Sequence, residues 1–238
     1  MTDLLYQTDS YTQEFQATIT GRHEEENAIL LDRTYFYPGG GGQPSDTGVL
    51  AVTNIGEISV QKVRKDGQDV VHYLDGKLPD VGVEVQGRID WDRRYSLMRT
   101  HTALHILCGV VYRDYDALVT GGNMEPLKGR MDFEFDTLRG ELVAEIEAAV
   151  NKEVDAGRDV RVKIVPREEA FKIPDLIRTK INLLPKGIQE VRTVEIVGLD
   201  LQADGGTHVR NTSEVGRIKV VDYKSKGAIN KRIYIEII

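Results

Sequence analysis

Two histidines four residues apart in RTHTALHIL (residues 99–107) are the residues in this chain whose type and spacing first suggest chemistry. On a helix, positions i and i+4 share a face, so His101 and His105 present two imidazoles one turn apart. A second pair stands about a hundred residues later, in LQADGGTHVRNTSEVG (residues 201–216), where Gly205, Gly206 and Thr207 separate Asp204 from His208. Two adjacent glycines suit a turn, which makes this a loop pair beside a strand. Imidazole nitrogen and carboxylate oxygen are both zinc ligands, and His101, His105, Asp204 and His208 would complete a tetrahedral set. If Asp204 instead supports the ligands from outside, three histidines remain and the fourth position holds water. Thr102 occupies the place of the glutamate in HExxH, which argues against a metalloprotease helix. His23 and His72 lie in a β-rich stretch without a partner motif and read as ordinary.

The elements that must carry these side chains differ between the two ends of the chain. In residues 1–90, YTQEFQATIT, NAILLD, EISVQKVRK, DVVHYL and VEVQGRID are short, partly alternating runs separated by Gly, Asp and Asn turns. Such spacing predicts a small β-barrel or sandwich. WDRRYSLMRTHTALHILCGVVYRDY then predicts an amphipathic helix, with Leu97, His101, Leu104, His105, Cys108 and Val111 on one stripe and Asp90 or Asp92 as its cap. DTLRGELVAEIEAAVNKEVDAG predicts a second, buried through Leu138, Leu142, Ile146, Ala149 and Val150, capped by Asp136 and ended by Gly157. PREEAFKI predicts a short helix with Pro166 in its first turn. DVRVKIV, EVRTVEIVG, EVGRIKVVDYK and KRIYIEII predict strands. The expected architecture is α+β: a small barrel-like domain over 1–90, then, over 91–238, helices packed on a mostly antiparallel sheet.

Composition narrows the function classes. The chain has 238 residues, 40% hydrophobic and 29% charged, with a net charge of −7 and one cysteine. A single cysteine excludes an intrachain disulfide and a cysteine-based zinc knuckle, and Cys108 in an apolar stretch reads as a small buried hydrophobe. The N-terminus lacks a basic start followed by an apolar stretch, and no run of about 18 apolar residues occurs, so a cytoplasmic protein without a membrane span is expected. The net acidity does not exclude a local basic patch, for which Arg217, Lys219, Lys224, Lys226, Lys231 and Arg232 are candidates. YPGGGGQPSDTG is not a nucleotide loop, since no GK[ST] follows, and no nucleoside triphosphate is expected.

RTHTALH followed by DGGTHVRNTSEVG resembles the editing domain of alanyl-tRNA synthetases and of their free-standing relatives, the AlaX proteins. LDRTYFYPGGGGQPSDTGVL resembles the glycine-rich stretch that precedes this domain in the family. VTGGNMEPLKGRMDFEF resembles the region after its first helix, and KGAINKRIYIEI its closing segment. The order and near-complete coverage resemble the medium-sized AlaX class; the aminoacylation domain has no counterpart. Two positions depart from the family pattern: Asp204 stands where CGGTH has its cysteine, and Leu104 where synthetase editing domains commonly carry threonine.

The resemblance implies a trans-editing enzyme that hydrolyses the ester of alanine tRNA carrying a wrong amino acid, chiefly serine and secondarily glycine, with one zinc ion per chain. His101, His105, Asp204 and His208 then hold the metal. Gly205 and Gly206 offer backbone N–H groups to a developing oxyanion, and Thr100, Thr102 or Thr207 reads the serine hydroxyl or orients a histidine. The glycine-rich loop, with Gly40, Gly41, Gln43, Ser45 and Asp46, is expected to reach the pocket. Arg93, Arg94, Arg99, Lys224, Lys226, Lys231 and Arg232 are expected at tRNA phosphates; neither DNA nor membrane is an expected partner, and oligomeric state stays open. Two other readings remain: a non-catalytic tRNA-binding module with a degenerate metal site, and a zinc-dependent hydrolase of another ester.

Overall fold

The computed structural model describes residues 1–135, 137–174, 176 and 187–238. It divides into two compact units, Met1–Ser96 and Leu97–Ile238, and the division lies inside a helix, α1 (Trp91–Tyr115).

The first unit is a closed barrel. A short parallel pair, β1 (Asp3–Leu4) and β4 (Arg33–Thr34), flanks it. Its staves are β2 (Glu14–His23), β3 (Ala28–Leu31), β5 (Gly48–Val52), β6 (Gly56–Asp66), β7 (Asp69–Asp75) and β8 (Glu84–Ile89), closed in the order β2-β3-β7-β6-β5-β8. Alternation puts Phe15, Ala17 and Ile19 of β2 and Val85 and Ile89 of β8 inside, with Leu50, Val60, Val63 and Val70. The barrel expected from the short strands is therefore present. β5 had been hidden in the glycine-rich stretch.

That stretch is a tight turn. Gly40 and Gln43 exchange backbone hydrogen bonds of 3.0 and 2.9 Å, and Gly39, Gly40, Gly41 and Gly42 all have positive φ. Side chains rarely tolerate four such residues in succession, so the turn itself requires the glycines. Tyr37 donates its hydroxyl to Gly40 O at 3.0 Å, and Asp46 accepts from Tyr37 N at 2.6 Å.

In the second unit, β9 (Val119–Glu125), β10 (Lys128–Glu134), β14 (Ile218–Ser225) and β15 (Asn230–Ile237) form an antiparallel sheet in the order β14-β15-β10-β9. β11 (Val160–Pro166), β12 (Glu190–Ile196) and β13 (Asp200–Ala203) form a second. The α+β class is as expected, with the sheet in two parts. From Thr100 to Val111 every residue of α1 is buried. The helix is thus a core element enclosed all round rather than the two-faced surface helix its spacing predicts. Asp90 caps it, accepting from Arg93 N at 3.2 Å.

α2 (Gly140–Asp155) starts after Leu138, so Leu138 is outside the helix; the expected cap, Asp136, lies outside the described residues. The buried stripe is Val143, Ile146, Val150 and Val154, with Leu142 and Ala149 half-buried at its flank. Gly157, at φ +60, ends it. Asn151 locks α2 to β14, donating to Ile218 O at 2.7 Å and accepting from Ile218 N at 3.0 Å. α3 (Arg167–Ala170) follows Pro166, which takes the cap position.

Candidate metal centre

The second unit brings both polar pairs together. His101 and His105 come from α1; Asp204 and His208 come from the loop that follows β13. One donor atom from each of these four residues lies within 4.8 Å of all the others. His208 Nε2 is 3.0 Å from Asp204 Oδ2, and His101 Nε2 is 3.5 Å from Asp204 Oδ1. The rings of His101 and His208 stack at 4.3 Å, and that of His105 meets His208 edge-on at 4.7 Å. All three rings are buried.

The loop is held in this place by its own chemistry. Asp204 Oδ2 accepts from Gly206 N at 2.7 Å, closing an Asx turn. Asp204 N donates to Arg192 O at 3.1 Å, and Arg192 Nη1 donates to Asp204 O at 2.9 Å, which ties the loop to β12. Thr102 Oγ1 accepts from Val209 N at 3.3 Å, clipping the far side of the loop to α1. Asn211 and Glu214 then form a capping box around a single helical turn, Thr212–Glu214.

The electrostatics favour unprotonated His101 and His208 rings beside an ionised Asp204 carboxylate. Burial pushes His208 down to about 4 and His101 well below its ordinary value, although the Asp204 carboxylate opposes this in both. Burial acts in the same direction on His105, but the hydrogen bond and charge of Asp200 outweigh it and leave that ring raised. For Asp204, burial would favour the neutral acid. His101, His208 and His105 overcome it and hold the carboxyl well below its usual range.

A metal ion fits this donor set. Tetrahedral zinc takes nitrogen and oxygen ligands at about 2.0–2.2 Å, which sets neighbouring donors about 3.3 Å apart; donors within 4.8 Å of one another would close in by at most about 1.5 Å. The supports such a site requires are also present. His105 Nδ1 faces Asp200 Oδ2 at 3.1 Å, and His208 Nδ1 faces Thr102 Oγ1 at 3.1 Å, leaving both Nε2 atoms for the cluster.

Other expected site residues are placed differently. Arg94 is fully buried, with its guanidinium held by Asp46, Ser10 O and Tyr35 O rather than presented at the surface. Lys231 is also buried and donates to Gly227 O and Ala228 O. Gln43 is buried within the glycine turn and does not extend from it, whereas Gly40 and Gly41 are exposed. Arg93 donates to Ser45 O, Arg99 to Val215 O, and Arg232 forks onto both oxygens of Asp132 at 2.6 and 2.7 Å. Lys224, paired with Asp222, and Lys226 are exposed. Gly205 is exposed, and Gly206 N–H donates to Asp204 Oδ2. Thr207 is buried, and Thr100 binds the β9–β10 turn through Glu125 O and Leu127 N. Cys108 is a buried thiol, as expected. Asp200 and Arg192 were missed. The alternation D-x-Q-x-D over residues 200–204 was the available signal, because it puts Asp200, Gln202 and Asp204 on one face of a strand.

Residues 7–93 match the family model of class II (A) tRNA synthetases, and residues 191–234 match that of the threonyl and alanyl tRNA synthetase second additional domain. The alanyl-tRNA editing protein AlaX-M of Saccharolobus solfataricus is 41% identical over 240 residues, covering 98% of each chain. That of Methanosarcina barkeri is 38% identical over 100% of both. The alanine–tRNA ligase of Ignicoccus hospitalis is 40% identical over 91% of this chain but only 24% of the ligase. The chain belongs to the AlaX-M family of alanyl-tRNA editing proteins. Among the described residues no helix is long and apolar enough to cross a membrane.

Proposed function

We propose that this protein hydrolyses the ester joining a wrong amino acid to alanine tRNA, serine first and glycine second, at one zinc ion held by His101, His105, His208 and Asp204. The observation that carries this reading is the convergence of four donor atoms, three of them on buried histidines, from segments about a hundred residues apart, to within 4.8 Å. Editing is needed because a pocket for alanine cannot strongly reject serine, which only adds a hydroxyl, or the smaller glycine. A zinc ion in this site supplies Lewis acidity toward an ester carbonyl, a water or the substrate's amino group.

The chain's own residues set the conditions for that chemistry. Burial keeps the His101 and His208 rings unprotonated near neutral pH. Gly206 N–H aims the Asp204 carboxylate at the rings. Thr102 already accepts from Val209 N and has a second lone pair for the Nδ1 proton of His208, so it orients that ring rather than reading the substrate. A methyl group at Gly205 would meet nothing within 4 Å, which leaves the backbone beside the cluster open to a substrate. Arg93, Arg99, Lys224, Lys226, Arg232 and the exposed Gly40 and Gly41 are the proposed tRNA contacts.

The test is deacylation of alanine tRNA charged with serine, glycine or alanine, with metal content measured on the same samples. Wild type should carry one zinc per chain, hydrolyse the seryl ester and spare the alanyl ester. His101→Ala should abolish turnover, Asp204→Ala should reduce it sharply, and Asp204→Cys should keep part of it. Undiminished hydrolysis in all three variants would remove the site from the reaction.

A further inference from the structure

We propose that Asp200 is a positioning residue for the metal centre, fixing which nitrogen of His105 faces the cluster, and that Gly109 is what lets it reach. The inference rests on the metal reading above and adds to it a residue pair outside the four ligands.

Helix and strand present matching stripes. His101, His105 and Gly109 recur at i, i+4 and i+8 along α1, which puts them on one helical face. Asp200, Gln202 and Asp204 recur at i, i+2 and i+4 along β13 and just past it, one face of an extended strand. The contacts run between these stripes. His101 meets Asp204 at 3.5 Å and His105 meets Asp200 at 3.1 Å. Gln202 donates its amide to Asp200 Oδ2 at 2.6 Å and to Cys108 Sγ at 3.4 Å. Each strand residue of the stripe therefore engages α1 or its neighbour on the strand.

Asp200 is built into the core. Its side chain has no exposed surface, and Oδ2 is the atom shared by His105 Nδ1 and Gln202 Nε2. Oδ2 is placed as an acceptor for both donors, which sets the proton of a neutral His105 on Nδ1 and leaves Nε2 bare toward the cluster. Without Asp200 the two tautomers of a neutral imidazole differ little, and much of the population would turn a proton toward the metal position.

The approach of Asp200 depends on a missing side chain. A Cβ built at Gly109 would lie 2.9 Å from Leu199 Cγ and 3.1 Å from Asp200 Cβ. Glycine is the poorest helix former apart from proline, and here it stands inside a helix of 25 residues with negative φ. Its backbone conformation is open to any residue, so close approach of the β12–β13 turn is the structural use of this glycine.

The experiment uses Asp200→Ala, Asp200→Asn and Gly109→Ala in the full chain at one neutral pH. Zinc affinity is measured by competition with a chromophoric chelator, and the protonation of each ring nitrogen of His105 by ¹⁵N NMR of the metal-free protein. Wild type should show Nδ1 protonated. Asp200→Ala and Gly109→Ala should bind zinc 10–100-fold more weakly and show a mixture of tautomers, with Asp200→Asn intermediate. Zinc affinity within twofold of wild type in a folded Asp200→Ala or Gly109→Ala protein, or a His105 tautomer unchanged in either, would overturn the proposal. Should Asp200→Ala fail to fold, Asp200→Asn and Gly109→Ala decide it by the same two readouts. A wild-type protein that binds no zinc overturns the metal reading instead, and the tautomer measurement still tests Asp200 by itself.

Discussion

Replacing Arg94 by methionine separates a structural arginine from a tRNA-binding one. The Arg94 guanidinium is wholly buried and spans Asp46, Ser10 O and Tyr35 O, while Asp46 also accepts from Tyr37 N at 2.6 Å. Methionine keeps the length of the side chain but leaves the Asp46 carboxylate buried with one backbone donor. Removing one partner of a buried ion pair costs about 3–5 kcal/mol, and two carbonyls that lose their donor add about 1 kcal/mol, giving roughly 4–6 kcal/mol. For a chain of this size that lowers the midpoint of thermal unfolding by roughly 10–20 °C. Trp91 is the only tryptophan and stacks on Tyr95 at 5.6 Å within the first unit, so its fluorescence follows the unfolding of that unit. Arg94→Met combined with Asp46→Leu should recover at least half of the loss, because an apolar pair leaves no buried charge. Below its midpoint, Arg94→Met should bind tRNA within twofold of wild type. The reasoning is refuted by a loss of less than about 1 kcal/mol, the range of a surface pair, or by weakened tRNA binding at unchanged stability.

Three further outcomes are expected. His72 is buried in the barrel against Thr34 and lowered from 6.5 to about 4, chiefly by burial. The unfolded chain therefore binds this proton first, and stability is lost as pH falls from about 6.5 toward 4, by roughly 3 kcal/mol in total. His72→Gln should flatten the pH dependence of urea unfolding over that window, and an unaltered slope would show that His72 does not titrate this way. Gly205→Ala should leave the unfolding midpoint within about 2 °C, since the methyl meets open space; a lower kcat/KM on seryl-tRNA at that unchanged midpoint would mark the position as one the substrate approaches. Zinc added to metal-free protein should raise the unfolding midpoint of the second unit in a concentration-dependent way, and a chelator should reverse it, because only the folded chain assembles the four donors. A midpoint indifferent to zinc up to millimolar concentration would contradict the ligand set.

The sequence by itself determined much of the local structure and the donor types. His101 and His105 share a helical face because four residues make about one turn, whatever surrounds the helix. Asp204 and His208 belong to a turn because Gly205 and Gly206 follow the aspartate, and short alternating runs close the barrel. These are consequences of spacing along the chain. Tertiary structure alone decided which polar groups are consumed. Arg94 and Lys231 read as surface cations, yet both are buried and spent on internal acceptors. The four glycines of residues 39–42 read as a reaching loop and form a tight turn. The D-x-Q-x-D alternation gives Asp200 its strand face but not its partner, because His105 is 95 positions away in the chain and only the seating of β13 against α1 brings them to 3.1 Å. Local periodicity specifies a face, but burial and long-range hydrogen bonding depend on what packs against that face, and the chain settles this only when it folds.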